Sequence, residues 1–187
     1  MKIAITGGIG SGKTFVCQLL NAHGIEVFDC DASAKRLMRT SPDLQQALTE
    51  LVGEEVFSNH SLNKSLLAKF LLESEENKQA VNNIVHPAVA EDFMQSGKDW
   101  LESAIFFDSG FHKRLYIDKV VCVTAPLEVR LQRIIARDGI SREKAMEWIH
   151  RQMPQEEVLR LSDYEIVNDG VASIEQQLNQ IIKQINE

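Results

Sequence analysis

Residues 7 to 14 read Gly7-Gly8-Ile9-Gly10-Ser11-Gly12-Lys13-Thr14, which satisfies the pattern G-x-x-x-x-G-K-[ST] at every position. No other stretch restricts the fold as strongly. Four of the chain's ten glycines crowd into residues 7 to 12, where they let the backbone curl until successive N–H groups face inward and make a nest for phosphate oxygens. Lys13 supplies a mobile charge for β- and γ-phosphates, and the Thr14 hydroxyl is placed for Mg²⁺. Such a loop needs a strand before it and a helix after it, whose N-terminus adds positive character. Both flanks are present. Lys2-Ile3-Ala4-Ile5-Thr6 is a short apolar run bounded by glycine, a buried strand. Phe15, Val16, Leu19 and Leu20 share one face at helical spacing until Gly24 stops the helix. Ile25-Glu26-Val27-Phe28 then reads as a second strand, which completes a βαβ unit. The motif shows what is held. It does not show what becomes of the phosphate.

The remainder alternates. From Asp31 to about Gly97 no good strand is legible. Ser41-Pro42 reads as an N-cap and first helical residue, Ser74 as a second N-cap followed by Glu75 and Glu76, and His86-Pro87 as a break between helices. Strand signals resume at Ser103–Phe107 and Lys119–Val123. Pro126 opens a helix with Leu127, Leu131, Ile134 and Ile135 on its buried face; Gly139 ends it, and Ser141 caps another that runs to about Arg151. Tyr164–Val167 is a fifth strand, closed by the Asn168-Asp169-Gly170 turn, before a last helix carrying Ile174, Leu178, Ile181, Ile182 and Ile185. The expectation is an α/β layer fold with a mainly parallel sheet and a helical insertion.

Composition narrows the function. With 187 residues the chain can bury a core without staples or metals. Twenty Lys and Arg against 27 Asp and Glu give a net charge of −7, which argues against a general nucleic-acid binder. Cys17, Cys30 and Cys122 fit no disulfide framework and no metal pair. His23, His60, His112 and His150 form no metal spacing. No apolar run approaches a membrane span and no signal peptide is visible, so a soluble protein of a reducing compartment, the cytoplasm, is expected.

Several residues could turn phosphate binding into phosphate transfer. Asp29-Cys30-Asp31 follows the second strand, at the strand end where open α/β sheets bind ligands. A carboxylate there can take a proton from an attacking hydroxyl or help hold hydrated Mg²⁺, or one of the pair, Asp31 before Ala32-Ser33-Ala34, can cap the next helix. Arg130, Arg133 and Arg137 share a helix face, suited to a lid that clamps phosphates or to a solvated charged face. His86 is a catalytic candidate or a histidine that orients a helix start. Lys64 can meet an anionic substrate or stand at the surface. Asp108 is a second candidate carboxylate, and Phe106 and Phe107 are core residues or a substrate platform.

The chain resembles the dephospho-CoA kinases. The resemblance rests on Ile5 through Thr14, Gly24, Asp29-Cys30-Asp31, His86-Pro87, Phe106-Phe107-Asp108-Ser109-Gly110, Leu131-Gln132-Arg133 with Arg137-Asp138, Gln152, Ser162-Asp163 and Asn168-Asp169-Gly170, in order over nearly the whole chain. It implies a P-loop kinase three-layer fold, with a five-stranded parallel sheet flanked by helices in a single domain, a helical insertion at 32–97 for dephospho-CoA and a helical lid at 137–160. It implies ATP and Mg²⁺ as cofactors, dephospho-CoA as the small-molecule substrate, and no obligatory protein partner. By the same resemblance Asp31 is the base for the attacking hydroxyl. Arg133 and Arg137 face the nucleotide phosphates with Lys13, Asn168 and Gly170 lie near the adenine, and Asp29, His86, Pro87, Lys64, Phe106 and Asp108 belong to the substrate side. Ala104, Asp108 and Asn63-Lys64 depart from the usual proline, glutamate and Asp-Arg of the family. Another small-molecule kinase, for nucleosides, shikimate or sugar acids, shares every feature up to Thr14. A nucleotide-dependent switch is the reading of a different class, and the chain has no Asn-Lys-x-Asp stretch to read guanine.

Overall fold

A computed structural model describes residues 1–58 and 61–186, so His60 lies outside the described residues. The elements in chain order are β1 (Ile3–Thr6), α1 (Lys13–Ala22), β2 (Val27–Asp29), α2 (Cys30–Thr40), α3 (Pro42–Val52), β3 (Phe57–Ser58), β4 (Ser61–Leu62), α4 (Lys64–Glu73) and α5 (Glu75–Gln95). There follow β5 (Trp100–Glu102), β6 (Lys119–Thr124), α6 (Leu127–Asp138), α7 (Arg142–His150), α8 (Gln155–Arg160), β7 (Tyr164–Val167) and α9 (Ile174–Asn186). Two compact units form, one from Met1–Phe28 with Lys98–Glu187, the other from Asp29–Gly97.

The first unit is built on a five-stranded sheet of order β2-β5-β1-β6-β7. Ile3 pairs with Trp100 on one side and with Lys119 on the other, both in parallel register, and Val121 pairs with Tyr164. One face carries Ile3, Ile5, Val121, Val123 and Ile166, which meet Val16 and Leu20 of α1 and Leu178 and Ile181 of α9. Burial of that stripe, rather than propensity, fixes both helices. Gly24 adopts φ +76°, and the Ile25 N–H reaches back to the Leu20 carbonyl at 2.9 Å. This left-handed stop delays the second strand to Val27, two residues beyond its expected start.

The third strand also differs from expectation. It is Trp100–Glu102, not Ser103–Phe107. The last ladder bond runs from the Ser103 N–H to the Ile5 carbonyl at 3.0 Å, after which the chain turns. Phe106 is only 1% exposed but enters the core from this turn, edge-on to Phe107 and Phe111. Buried aromatics in a turn thus mimic a strand in the sequence. Phe15 and Leu127, both expected on buried helix faces, are exposed. A second apolar cluster joins Leu131 and Ile134 of α6 to Ala145 and Ile149 of α7, with Ile9 packed against it.

The second unit is helical around α5, which packs against α2, α3 and α4. Ser41 and Ser74 cap α3 and α5 as expected, accepting from the Leu44 and Asn77 N–H groups. Two expectations fail here. A two-residue hairpin, β3 with β4, interrupts the helices. And α5 runs 21 residues straight through His86-Pro87. Pro87 lies on the exposed face, while Val81, Val85, Val89, Ala90 and Phe93 are buried. That apolar stripe outweighs the missing N–H of one proline.

Candidate active site

The segment between β1 and α1 is shaped by where its carbonyls go. The Gly7 oxygen accepts from Lys13 Nζ at 2.8 Å, and Gly8 from the same atom at 3.4 Å. Ile9 accepts from Arg130 Nε at 2.9 Å. Gly10 and Ser11 accept from Arg133 Nη1 at 3.3 and 3.2 Å, and Ser11 again from Asn168 Nδ2 at 2.8 Å. Every carbonyl from Gly7 to Ser11 is therefore turned toward a side-chain donor. Three of those donors, Lys13, Arg130 and Arg133, are cations, so the loop sits in a positive field.

The glycines answer to these neighbours. At Gly7 a Cβ would strike the Val123 carbonyl, at Gly8 the Arg130 guanidinium, and at Gly12 (φ +97°) the Asn168 amide. Asn168 is 7% exposed and both ends of its amide are committed, Nδ2 to Ser11 and Oδ1 to Arg133 Nη2 at 2.8 Å. It braces the loop. Gly170 follows in the turn with φ +88°, which the Asp169 carboxylate closes by accepting from the Val171 and Ala172 N–H groups, both at 2.8 Å. Those backbone donors hold the Asp169 carboxyl below its ordinary value.

Lys13 also lies 3.8 Å from the Glu102 carboxylate at the end of β5. Sequence reading missed Glu102 because the third strand was expected three residues later. The available signal was an acid closing the Trp100-Leu101 run. Burial of Arg130 was missed too: it is 5% exposed, and burial pushes its pKa down, against the opposing charge of Glu156. Gln152 accepts the Ile9 N–H through Oε1 at 2.7 Å, and Asp108 accepts the Met153 N–H at 2.6 Å. The connector between α7 and α8 is thus tied both to the phosphate loop and to the turn after β5. Arg137 is exposed and chelates its neighbour Asp138, with a closest approach of 2.7 Å. Phe106 contributes packing and Asp108 a hydrogen bond.

In the helical unit Asp29, not Asp31, caps α2, accepting from the Ala32 N–H at 2.8 Å. Asp31 stands exposed in the first turn, and its carboxylate is uncommitted among the described residues. His86 is buried on α5 beside exposed Pro87. Lys64 is the exposed first residue of α4, which Asn63 caps by accepting from the Leu66 N–H at 3.2 Å. Asn63 thus has a local structural duty. Asp92 of α5 accepts from Ser33 and Arg36, both at 2.5 Å.

Ser11 Oγ is fully enclosed with no hydrogen-bond partner among the described residues. The glycine-rich turn around it, with its carbonyls held by side-chain donors, fits an anion-binding cradle. Among the described residues no three His, Cys, Asp or Glu gather as metal ligands. A divalent cation here would take the exposed Thr14 hydroxyl together with phosphate oxygens and water, the habit of Mg²⁺.

The parallel sheet, the braced loop and the lysine opening α1 define a P-loop nucleotide-dependent kinase. The family model described as CoaE, dephospho-CoA kinase, matches residues 1–175. The chain belongs to the dephospho-CoA kinase family. It is 43% identical over 189 residues to the dephospho-CoA kinase of Bacteroides fragilis, covering 97% of this chain and 91% of that one. The crystal structure of TT1252 from Thermus thermophilus superposes with TM-score 0.81 at 31% identity, over 100% of this chain and 96% of that one. A dephospho-CoA kinase from Campylobacter jejuni shares the fold at TM-score 0.65 and 24% identity, over 99% and 98%.

Proposed function

We propose that this chain transfers the terminal phosphoryl group of ATP to the ribose 3′-hydroxyl of dephospho-CoA, giving CoA and ADP. The observation that carries this is the phosphate loop with all its carbonyls from Gly7 to Ser11 held by side-chain donors, in a chain of this family. Gly7, Gly8, Ile9, Gly10, Ser11, Gly12 and Thr14 receive the nucleotide phosphates. Lys13, an ammonium on a flexible stem, exchanges carbonyl partners for phosphate oxygens. Mg²⁺, held through Thr14, would draw charge from the same oxygens. Asn168 and Gly170 flank the adenine end.

The acceptor oxygen attacks the γ-phosphorus in line as the bond to the β-phosphate oxygen breaks and ADP leaves. Asp31 accepts the hydroxyl proton, and Asp29 sets the start of the helix that carries it. Residues 32–97, with Lys64, His86 and Pro87, receive dephospho-CoA, and Asp108 orders its side of the site, with Phe106 as packing support. Residues 137–160 form the lid. Arg133 and Arg137 neutralise charge as it closes and excludes water, which would otherwise take the phosphoryl group. The protein supplies position and charge rather than covalent chemistry. A cytoplasmic setting suits the three free cysteines.

Incubation with ATP, Mg²⁺ and dephospho-CoA is expected to yield ADP and CoA in equal amounts. Asp31→Asn should lose at least about a hundredfold in kcat with ATP affinity retained, the usual scale for a general base. ATP hydrolysis without CoA, followed by turnover on a panel of nucleosides, shikimate and sugar acids, would move the chain to another small-molecule kinase.

A further inference from the structure

Arg130 differs from the other cations around the loop. It is 5% exposed, yet among the described residues no carboxylate comes within ion-pair range of it. Its only side-chain hydrogen bond among the described residues uses Nε. The Nη1 and Nη2 groups lie over Gly8, so close that a methyl there would collide with them. They are not sealed in as Ser11 Oγ is. Arg130 lines a cavity of about 260 Å³, together with Ala125, Leu127, Ile149, Gln152 and Glu156. Arginine remains charged at any working pH, and among the described residues the charge has no carboxylate in direct contact, only the more distant Glu156 acting through space. Four desolvated N–H donors in a fixed fork are the geometry for an oxyanion. Gln152 Oε1 is engaged by the Ile9 N–H, which leaves its amide group as a further donor beside the cavity. Gln155, whose Oε1 accepts from the Ala125 N–H at 3.1 Å, holds the wall in place.

We propose that Arg130, with Gln152, forms a second oxyanion subsite in this cavity, separate from the nest of loop N–H groups, that takes a phosphate group of a substrate. The proposal rests on the reading of the loop as a nucleotide site. Glu156 and His150 are the other charged or titratable side chains on its lining. Glu156 opposes an anion and tunes how tightly one is held. Two sources present the same chemistry, the terminal phosphate of the nucleotide and a phosphate of the acceptor.

The test is calorimetric titration of orthophosphate into the full chain saturated with ADP, the ADP dissociation constant having been measured first for each variant. Glu156→Gln removes the opposing charge and is expected to tighten phosphate binding about fivefold. Leu127→Glu puts a carboxylate at the rim, on an exposed first-turn position where helices accept acids, and is expected to weaken it about fivefold. Arg130→Gln keeps a donor for Ile9 but drops the charge, and should abolish measurable binding. If that variant does not fold, the opposite signs of the first two decide. Displacement of phosphate by a non-hydrolysable ATP analogue assigns the subsite to the nucleotide, and displacement by dephospho-CoA assigns it to the acceptor. Equal phosphate affinity in wild type, Glu156→Gln and Leu127→Glu, or no phosphate binding by wild type, overturns the subsite even if CoA is made. Binding with the expected signs but no CoA formed overturns the assigned activity and leaves the subsite standing.

Discussion

At the scale of single residues, the loop divides into groups that hold it and groups that act from it. Asn168 only holds. Asn168→Ala removes one of the two donors to the Ser11 carbonyl and the side-chain acceptor of Arg133 Nη2, each of which keeps a second partner, so denaturant unfolding should show a loss of about 1–2 kcal/mol, with ATP affinity falling alongside. Lys13→Ala should remove most of kcat, because its charge is lost to the phosphates, and should lower the unfolding midpoint as well, since its carbonyl partners belong to the buried Gly7 and Gly8. Gly12→Ala forces a left-handed φ of +97° on a residue with a Cβ aimed at Asn168. That costs about 1–2 kcal/mol in backbone alone and should weaken ATP binding at least tenfold, measurable by calorimetry. The loop itself was legible because the motif encodes it within eight consecutive residues. The braces were not, since Arg130 and Gln152 reach the loop from more than a hundred residues away and Glu102 from nearly ninety, a proximity that no local pattern records.

At the scale of elements, caps and stops were the most readable features. Ser41, Ser74, Ser141, Gly24 and Gly139 stand where local hydrogen bonding or a positive φ requires them. What failed was the weighing of a local rule against burial. Pro87 looks like a terminator, but α5 continues because its other face is the core of its unit. Pro87→Ala should therefore restore a helix hydrogen bond on an exposed position and raise stability by about 1–3 kcal/mol, seen as a higher thermal midpoint. A drop instead would mean that the ring itself is packed. Phe106 taught the converse, since its burial came from a turn and drew the expected strand past its true end at Glu102.

At the scale of the whole molecule, fold class and family followed from the alternation of strands and helices and from the loop, but the division into units depended on long-range packing around α5. Acid should act on the helical unit through Asp92. Burial raises its pKa, but hydrogen bonds from Ser33 and Arg36 and the Arg36 charge outweigh that and hold it below the ordinary 3.8. Its stabilisation is complete above that ordinary value and is lost as pH falls through the depressed one. Asp92→Asn should thus lower stability at neutral pH and flatten the acid limb of a pH–stability curve. The order of the sheet has one more outcome. Its two borders are strands of three and four residues, β2 and β7. Borders so short offer little template for another chain to zip onto, so concentrated native samples should stay free of amyloid-type dye signal, which should rise only once heating has opened β1 and β6.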